Sequence, residues 1–218
     1  MSCAQCIGIE DMFDGKRAAS ELSRYHRHGP GKTSSLLLDG IAAEGVAGLT
    51  VLDVGAGLGA VHLGLLSAGA SAAVDVDASA GYLKAAKQEA ERQGMAGRIR
   101  HLHGNFVELA PEVPAADIVA LDRVICCYDD AQSLLDCAAA KAGRILGLVY
   151  PIDSGLMKFA RGLLNWLLRA LGKRFQIYVH PSTQVEAIAR SHGFHKRTYH
   201  RRGIWQVVVY ARDGERPA

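Results

Sequence analysis

The 218-residue chain is poor in aromatic residues, at 6%, and holds only six prolines and five cysteines. An odd number of cysteines, two of them adjacent as Cys126-Cys127, does not describe a disulfide framework and points to a reduced, cytoplasmic protein. No low-complexity tract, Gly-X-Y register or repeat of solenoid period is present, which excludes fibrous and solenoid architectures. Nor is there an apolar run fit to span a bilayer. The richest stretch, Leu156–Leu171, is interrupted by Lys158, Arg161 and Arg169. The N-terminal MSCAQCIGIEDMFDGKR turns acidic where a secretion signal needs an apolar run, so none is expected.

What is there reads as one globular domain. Hydrophobic residues make up 49% and charged residues 22%, too apolar for disorder. The net charge of +3 hides a segregation. Residues 1–143 hold 12 Lys and Arg against 18 Asp and Glu, a net −6, whereas residues 144–218 hold 13 against 4, a net +9.

Residues 10–48 read as two helices broken at His28-Gly29-Pro30-Gly31, the second starting near Lys32-Thr33-Ser34 with hydroxyls as caps. From Thr50 strands and helices alternate. Strands are expected at 50–54, 72–76, 98–103, 117–121 and 144–150, with helices at 58–67, 79–93 and 130–142. Such alternation implies right-handed crossovers and a parallel sheet covered on both faces. A helix at 182–192 and two strands, 195–202 and 204–212, joined at Gly203, form a hairpin-like finish. Residues 152–179 read as an insertion that carries the Leu156–Leu171 amphipathic helix.

The most informative stretch is Val51-Leu-Asp-Val-Gly-Ala-Gly-Leu-Gly59, where the first strand turns into a helix. Glycines there allow positive φ and close backbone approach, and the helix N-terminus adds N–H donors. The spacing G-x-G-x-G (Gly55, Gly57, Gly59, with Ala56 between) departs from the dinucleotide fingerprint G-x-G-x-x-G. Asp53 at the strand end disfavours a pyrophosphate and suits a cationic amino group, as in S-adenosylmethionine. Asp77, ending the second strand before Ala78, is placed to accept both hydroxyls of a ribose. In the third loop Asn105 offers an amide to adenine N6, and Phe106 a ring to pack near the base.

Leu52 to Gly59, Val76-Asp77-Ala78-Ser79, Gly104-Asn105-Phe106 and Asp117-Ile118-Val119 together resemble a class I S-adenosylmethionine-dependent methyltransferase, over Val51 to Tyr150. The resemblance implies a Rossmann-like α/β domain with a seven-stranded, mostly parallel sheet, its last strand antiparallel, and helices on both faces. Asn105 departs from the family's usual Asp. A looser likeness covers nearly the whole chain. Leu121-Asp-Arg-Val-Ile-Cys-Cys-Tyr128, Phe13-Asp14, Tyr25…Gly29-Pro30…Lys32-Thr33 and the insertion are similar to sequences called magnesium-protoporphyrin O-methyltransferase-like. On this reading residues 1–48 are a helical lid belonging to the same domain, and 49–218 form the cofactor-binding domain.

Methyl transfer is an in-line displacement, so placement and exclusion of water carry much of the catalysis. Candidates around the methyl group are Tyr25, Asp122 and Tyr128, with His180 beside them; Asp122 also borders the cofactor. The competing reading of Asp122 is an ion pair with Arg123. Cys126 and Cys127 read as packing residues. Cys3-x-x-Cys6 lacks a second pair, so no metal is expected. The stripe of helix 156–171 fits core packing or a dimer contact, or else a substrate lid or a membrane-surface contact. The function expected is O-methylation of an anionic or amphipathic small molecule. An RNA methyltransferase and an NAD-dependent oxidoreductase are the alternatives; nucleic acid is not expected as a partner.

Overall fold

The structure, a computed structural model, describes residues 4–213, with side chains from Ile7 onward. The Cys3–Cys6 pair lies outside the described side chains. Three helices lead the chain: α1 (Ala4–Met12), α2 (Gly15–His28) and α3 (Lys32–Ala42). There follow β1 (Thr50–Val54), α4 (Ala60–Ser67), β2 (Ala72–Asp77), α5 (Ala80–Arg92), β3 (Ile99–His103), α6 (Phe106–Leu109), β4 (Ala116–Asp122), α7 (Ala131–Lys141) and β5 (Ala142–Pro151). The chain closes with α8 (Gly155–Ala170), α9 (Ser182–Ser191), β6 (Phe194–Arg202) and β7 (Trp205–Arg212).

Short polar side chains start many of these helices. Asp14, Ser79, Asn105, Asp130 and Ser154 each accept a hydrogen bond from a backbone N–H in the first turn. The expected hydroxyl cap of α3 does not form. Its N-cap is Gly31, without a side-chain bond, because Ser34 turns its hydroxyl to Asp122 instead.

The seven strands form one sheet in the order β3-β2-β1-β4-β5-β7-β6. All run parallel except β7, which is antiparallel to both β5 and β6. Alternate residues of each strand serve opposite faces. One face packs Leu52, Val54, Val119 and Leu121 against Leu134 and Leu135 of α7 and Val185 of α9. The other packs Val51, Ile118, Ile145, Val207 and Val209 against Leu37 and Ile41 of α3 and Leu65 of α4.

The N-terminal 48 residues therefore divide in a way their sequence did not announce. α3 is a wall of the core, with Leu37 and Ile41 wholly buried, so the lid expectation does not hold for it. α2 lies along α5, where Ala18, Tyr82 and Ala85 form a small separate cluster with Phe13, Leu22 and Leu58. α8 buries no residue, which overturns core packing as the reason for its apolar stripe.

Candidate active site

Three loops leave the carboxyl ends of β1, β2 and β3 side by side, the edge at which open α/β sheets bind ligands. Gly55, Gly57 and Gly59 all have positive φ, at 62°, 59° and 81°. A Cβ at Gly55 would come within 2.5 Å of Val124, and one at Gly59 within 2.6 Å of His62, so the loop is packed from below at both positions. At Gly57 the nearest atom would be Tyr82, at 3.7 Å. The open side of the loop is therefore at Gly57, beside Asp77.

Asp77 is nearly buried. One carboxylate oxygen accepts the Gly57 N–H (2.8 Å) and the other the Ser79 N–H (2.8 Å). Each oxygen keeps a lone pair for a further donor. Burial pushes this carboxyl up to about 6, with the nearby Asp75 and Asp53 adding to the rise against the two N–H bonds. A vicinal diol on the open side of Gly57 suits this acceptor pair, and the residues fit the ribose of S-adenosylmethionine. The Ala78 carbonyl accepts from His103 Nε2 (3.2 Å) on the neighbouring loop.

Asp53 departs from its expected role. It is wholly buried, and one oxygen takes both the backbone N–H (3.1 Å) and Nδ1 (3.0 Å) of His62 on α4. Its other oxygen has no hydrogen-bond partner among the described residues. A carboxylate with no exposed atom does not meet an ammonium directly, and its effect on the loop runs through His62. Burial raises the Asp53 carboxyl. For His62 burial alone would lower the pKa, but the hydrogen bond and charge of Asp53, with the charge of Asp75, leave it raised. Asp75 in turn binds His101 (2.7 Å), and the two imidazoles stand edge to face with centroids 6.4 Å apart. Two buried carboxylates and two histidines thus underlie the glycine loop. Nothing in the spacing of Asp53 and His62 announces this pairing.

The loop after β4 carries the candidates Asp122 and Tyr128 and is tied to the loop after β3. Tyr128 donates its hydroxyl to Asn105 Oδ1 (2.7 Å), which also caps α6 through the Val107 N–H. The His180 Nε2 donates to the Tyr128 carbonyl (2.9 Å), and the Tyr178 N–H to the Cys126 carbonyl (2.8 Å). The structure therefore joins Asn105, Tyr128 and His180 and staples the insertion onto this loop. Phe106 is instead a core residue, 4% exposed, and does not stand open to an adenine.

Asp122 is held between the Ser34 hydroxyl and Arg123 Nε (3.1 Å). Arg123 has φ +63°, unusual for a side-chain-bearing residue and costly unless its surroundings hold it. Phe175 of the insertion meets Phe13 edge to face, with centroids 5.5 Å apart, and Phe13 in turn meets Tyr82. Of these rings, Tyr82 is the one beside the glycine loop, at Gly57.

Tyr25 is the clearest misplacement. Its hydroxyl lies by Gln93, Glu89 and Arg92, at the far end of α5. At 1.5 Å per residue that end is about 18 Å from the cofactor loops. α2 starts beside Gly81 but runs down α5, carrying Tyr25 away.

Residues 51–143 match a family model described as a methyltransferase domain. A ribosomal protein L11 methyltransferase of Pelotomaculum thermopropionicum is 35% identical over 131 residues, which is 57% of this chain and 38% of that protein. One of Edwardsiella ictaluri is 29% identical over 119 residues, 53% of this chain and 38% of that protein. The chain thus spans under two fifths of the length of these curated relatives. Among solved structures, magnesium protoporphyrin IX methyltransferase from Synechocystis PCC 6803 with bound S-adenosylhomocysteine superposes with a TM-score of 0.69. It is 19% identical and covers 96% of this chain and 100% of its own, a likeness of fold. With the glycine loop and the acidic end of β2 in place beneath that fold, residues 51–143 carry a methyltransferase domain on the class I S-adenosylmethionine-dependent methyltransferase fold.

Proposed function

We propose that the enzyme methylates an oxygen of an anionic, amphipathic small molecule. One observation carries this reading: the segment beside the loop after β4, residues 152–179, holds Lys158, Arg161, Arg169, Lys173 and Arg174 against a single acid, Asp153. With Arg123 next to the same loop, an acceptor carboxylate or phenolate meets a cationic approach.

When bound, S-adenosylmethionine supplies an electrophilic methyl on a sulfonium that departs with the carbon–sulfur electron pair. Asp77 and the Gly57 turn would hold the nucleoside, whereas the Asn105 Oδ1, filled by the Tyr128 hydroxyl and the Val107 N–H, has no lone pair left for adenine N6. Tyr128 positions Asn105, while Asp122, braced by Ser34, fixes the wall beside Arg123. The rings of Phe13, Phe175 and Tyr82 exclude water. An ionised carboxylate acceptor needs no general base, so these groups act by placement.

The test is incubation with methyl-tritiated cofactor and a panel of amphipathic carboxylic acids and phenols. Label is expected in a solvent-extractable product. Label confined to protein would favour the second reading, a protein acceptor, to which the two ribosomal protein methyltransferase relatives lend weight. Tyr128→Phe should lower kcat about tenfold to a hundredfold with a much smaller change in cofactor affinity, because it loosens Asn105 and the loop without touching Asp77. Unchanged kcat in both Tyr128→Phe and Asp122→Ala would remove both from the site.

A pH dependence follows from Asp77, which accepts ribose hydroxyls best when ionised. Its raised pKa of about 6 means that the ionised form fills as pH rises through that value. Affinity for S-adenosylhomocysteine should therefore be full above pH 7 and fall by up to about tenfold per unit below pH 6. Calorimetric titration across this range checks it, and a flat profile would contradict the role.

A further inference from the structure

We infer that α8 is a membrane-surface helix that docks the enzyme on anionic lipid. The helix is inverted relative to the usual pattern, with its apolar stripe turned outward. Met157, Arg161, Asn165 and Leu168 are the partly covered residues, spaced to share one face. Asn165 fixes that face inward with two hydrogen bonds to the Ile177 backbone, at 2.8 and 2.9 Å. The opposite face carries Leu156, Phe159, Leu163, Trp166 and Leu167, with Phe159 72% and Trp166 66% exposed. Phe159, Leu163 and Trp166 line a shallow apolar depression with Lys158 and Gly162.

Charge selects the occupant. Five cations lie between Ser154 and Val185, and no acid does. A second copy of this helix would bring cations against cations, which association disfavours. An anionic lipid surface instead meets the apolar face with its acyl boundary and the flanking Lys158 and Arg169 with its headgroups. Trp166, apolar with one polar edge, suits that boundary. Among the described residues no helix is long and apolar enough to cross a membrane, so α8 would lie in the interface.

A second part of the molecule extends the same surface. The β6–β7 turn presents exposed Arg201, Arg202 and Ile204 at the carboxyl edge of the sheet. The Ile152 N–H donates to the Ile204 carbonyl (2.9 Å), which fixes this turn to the root of the insertion. Both cationic, apolar-tipped elements therefore flank the edge where an acceptor enters. The inference does not rest on the identity of that acceptor.

The test is co-sedimentation of the full chain with phosphatidylcholine vesicles, with and without phosphatidylglycerol. Binding is expected with the anionic vesicles and about tenfold weaker without them. In a Trp205→Phe background, Trp166 emission should shift to the blue on binding. The pair Phe159→Ser/Trp166→Ser should lose binding. The pair Lys158→Gln/Arg169→Gln should weaken it about 25-fold, at about fivefold per charge. S-adenosylhomocysteine affinity, measured on the same samples, should stay unchanged, since α8 does not hold the glycine loop. That readout separates loss of docking from loss of the fold or of the methyltransferase site. Failure of the unaltered, cofactor-binding chain to associate with anionic vesicles overturns the inference. So does a dimer in light scattering that Phe159→Ser/Trp166→Ser dissociates without any vesicle binding, which would assign the face to a second copy.

Discussion

Replacing Asp77 with Asn is expected to weaken S-adenosylhomocysteine binding about a hundredfold while leaving the chain folded. The side chain keeps its shape, but one of two acceptor oxygens becomes an NH2 donor. In the native site those oxygens take the N–H groups of Gly57 and Ser79, so either amide orientation sets a donor against a donor. The unpaired N–H costs about 1–3 kcal/mol in the nearly buried site. A ligand diol also loses its charged acceptor, and hydrogen bonds to charged groups are worth about 1.5–3 kcal/mol. A binding loss of about 2–3 kcal/mol corresponds to about 30- to 150-fold. Calorimetry on both proteins reads it directly, and an affinity within threefold of native would remove Asp77 from the cofactor site. The same variant should flatten the affinity profile around pH 6, since the titrating group is gone.

The second large effect lies beneath the loop. His62→Ala is expected to lower stability by about 3–5 kcal/mol, because it strands a buried carboxylate at Asp53. In a domain of this size that corresponds to a fall in Tm of about 10 °C or more. The imidazole also fills the space under Gly59, so the glycine loop should loosen and cofactor binding fall with it. Changing both partners, Asp53→Leu/His62→Leu, should recover a large part of the stability, since neither charge is then left alone and the volume is kept. Thermal unfolding of the single and double variants decides the matter. A double variant no more stable than His62→Ala would show that the pair is not coupled.

The fold was largely legible before any coordinate. Strand β1, the glycine turn and the helix starts near Ser79 and Asp130 are local features, and local sequence sets them. The alternation of strands and helices implied a covered parallel sheet, and the Gly203 hairpin implied its antiparallel finish. The position of Asp77 was legible for the same reason: it ends a strand next to a loop, and its partners, Gly57 and Ser79, belong to the turns on either side.

The misplacements share a different cause. Tyr25 sits on a helix whose direction along α5 depends on packing at Ala18, Tyr82 and Leu22, contacts that join distant parts of the chain. Asp53 looked like a ligand because it stands at the mouth of the glycine loop. Which way it points depends on His62, and on Asp75 and His101 of the neighbouring strands. Phe106 follows a strand-end loop, where a ring could pack near a base, yet the turn into α6 sends it into the core.

Sequence alone determined the class of this protein, since glycine spacing, strand-end carboxylates and hydrophobic periodicity act over a few residues. Only the tertiary structure decided which carboxylate takes the Gly57 N–H of the glycine loop and which is sealed beneath it with His62. It also decided that the apolar stripe of α8 faces outward. An amphipathic pattern states that a helix has two faces. What each face meets is set by contacts distant in sequence, here the hydrogen bonds from Asn165 to Ile177 and the stapling of the insertion onto the loop of Cys126 and Tyr128.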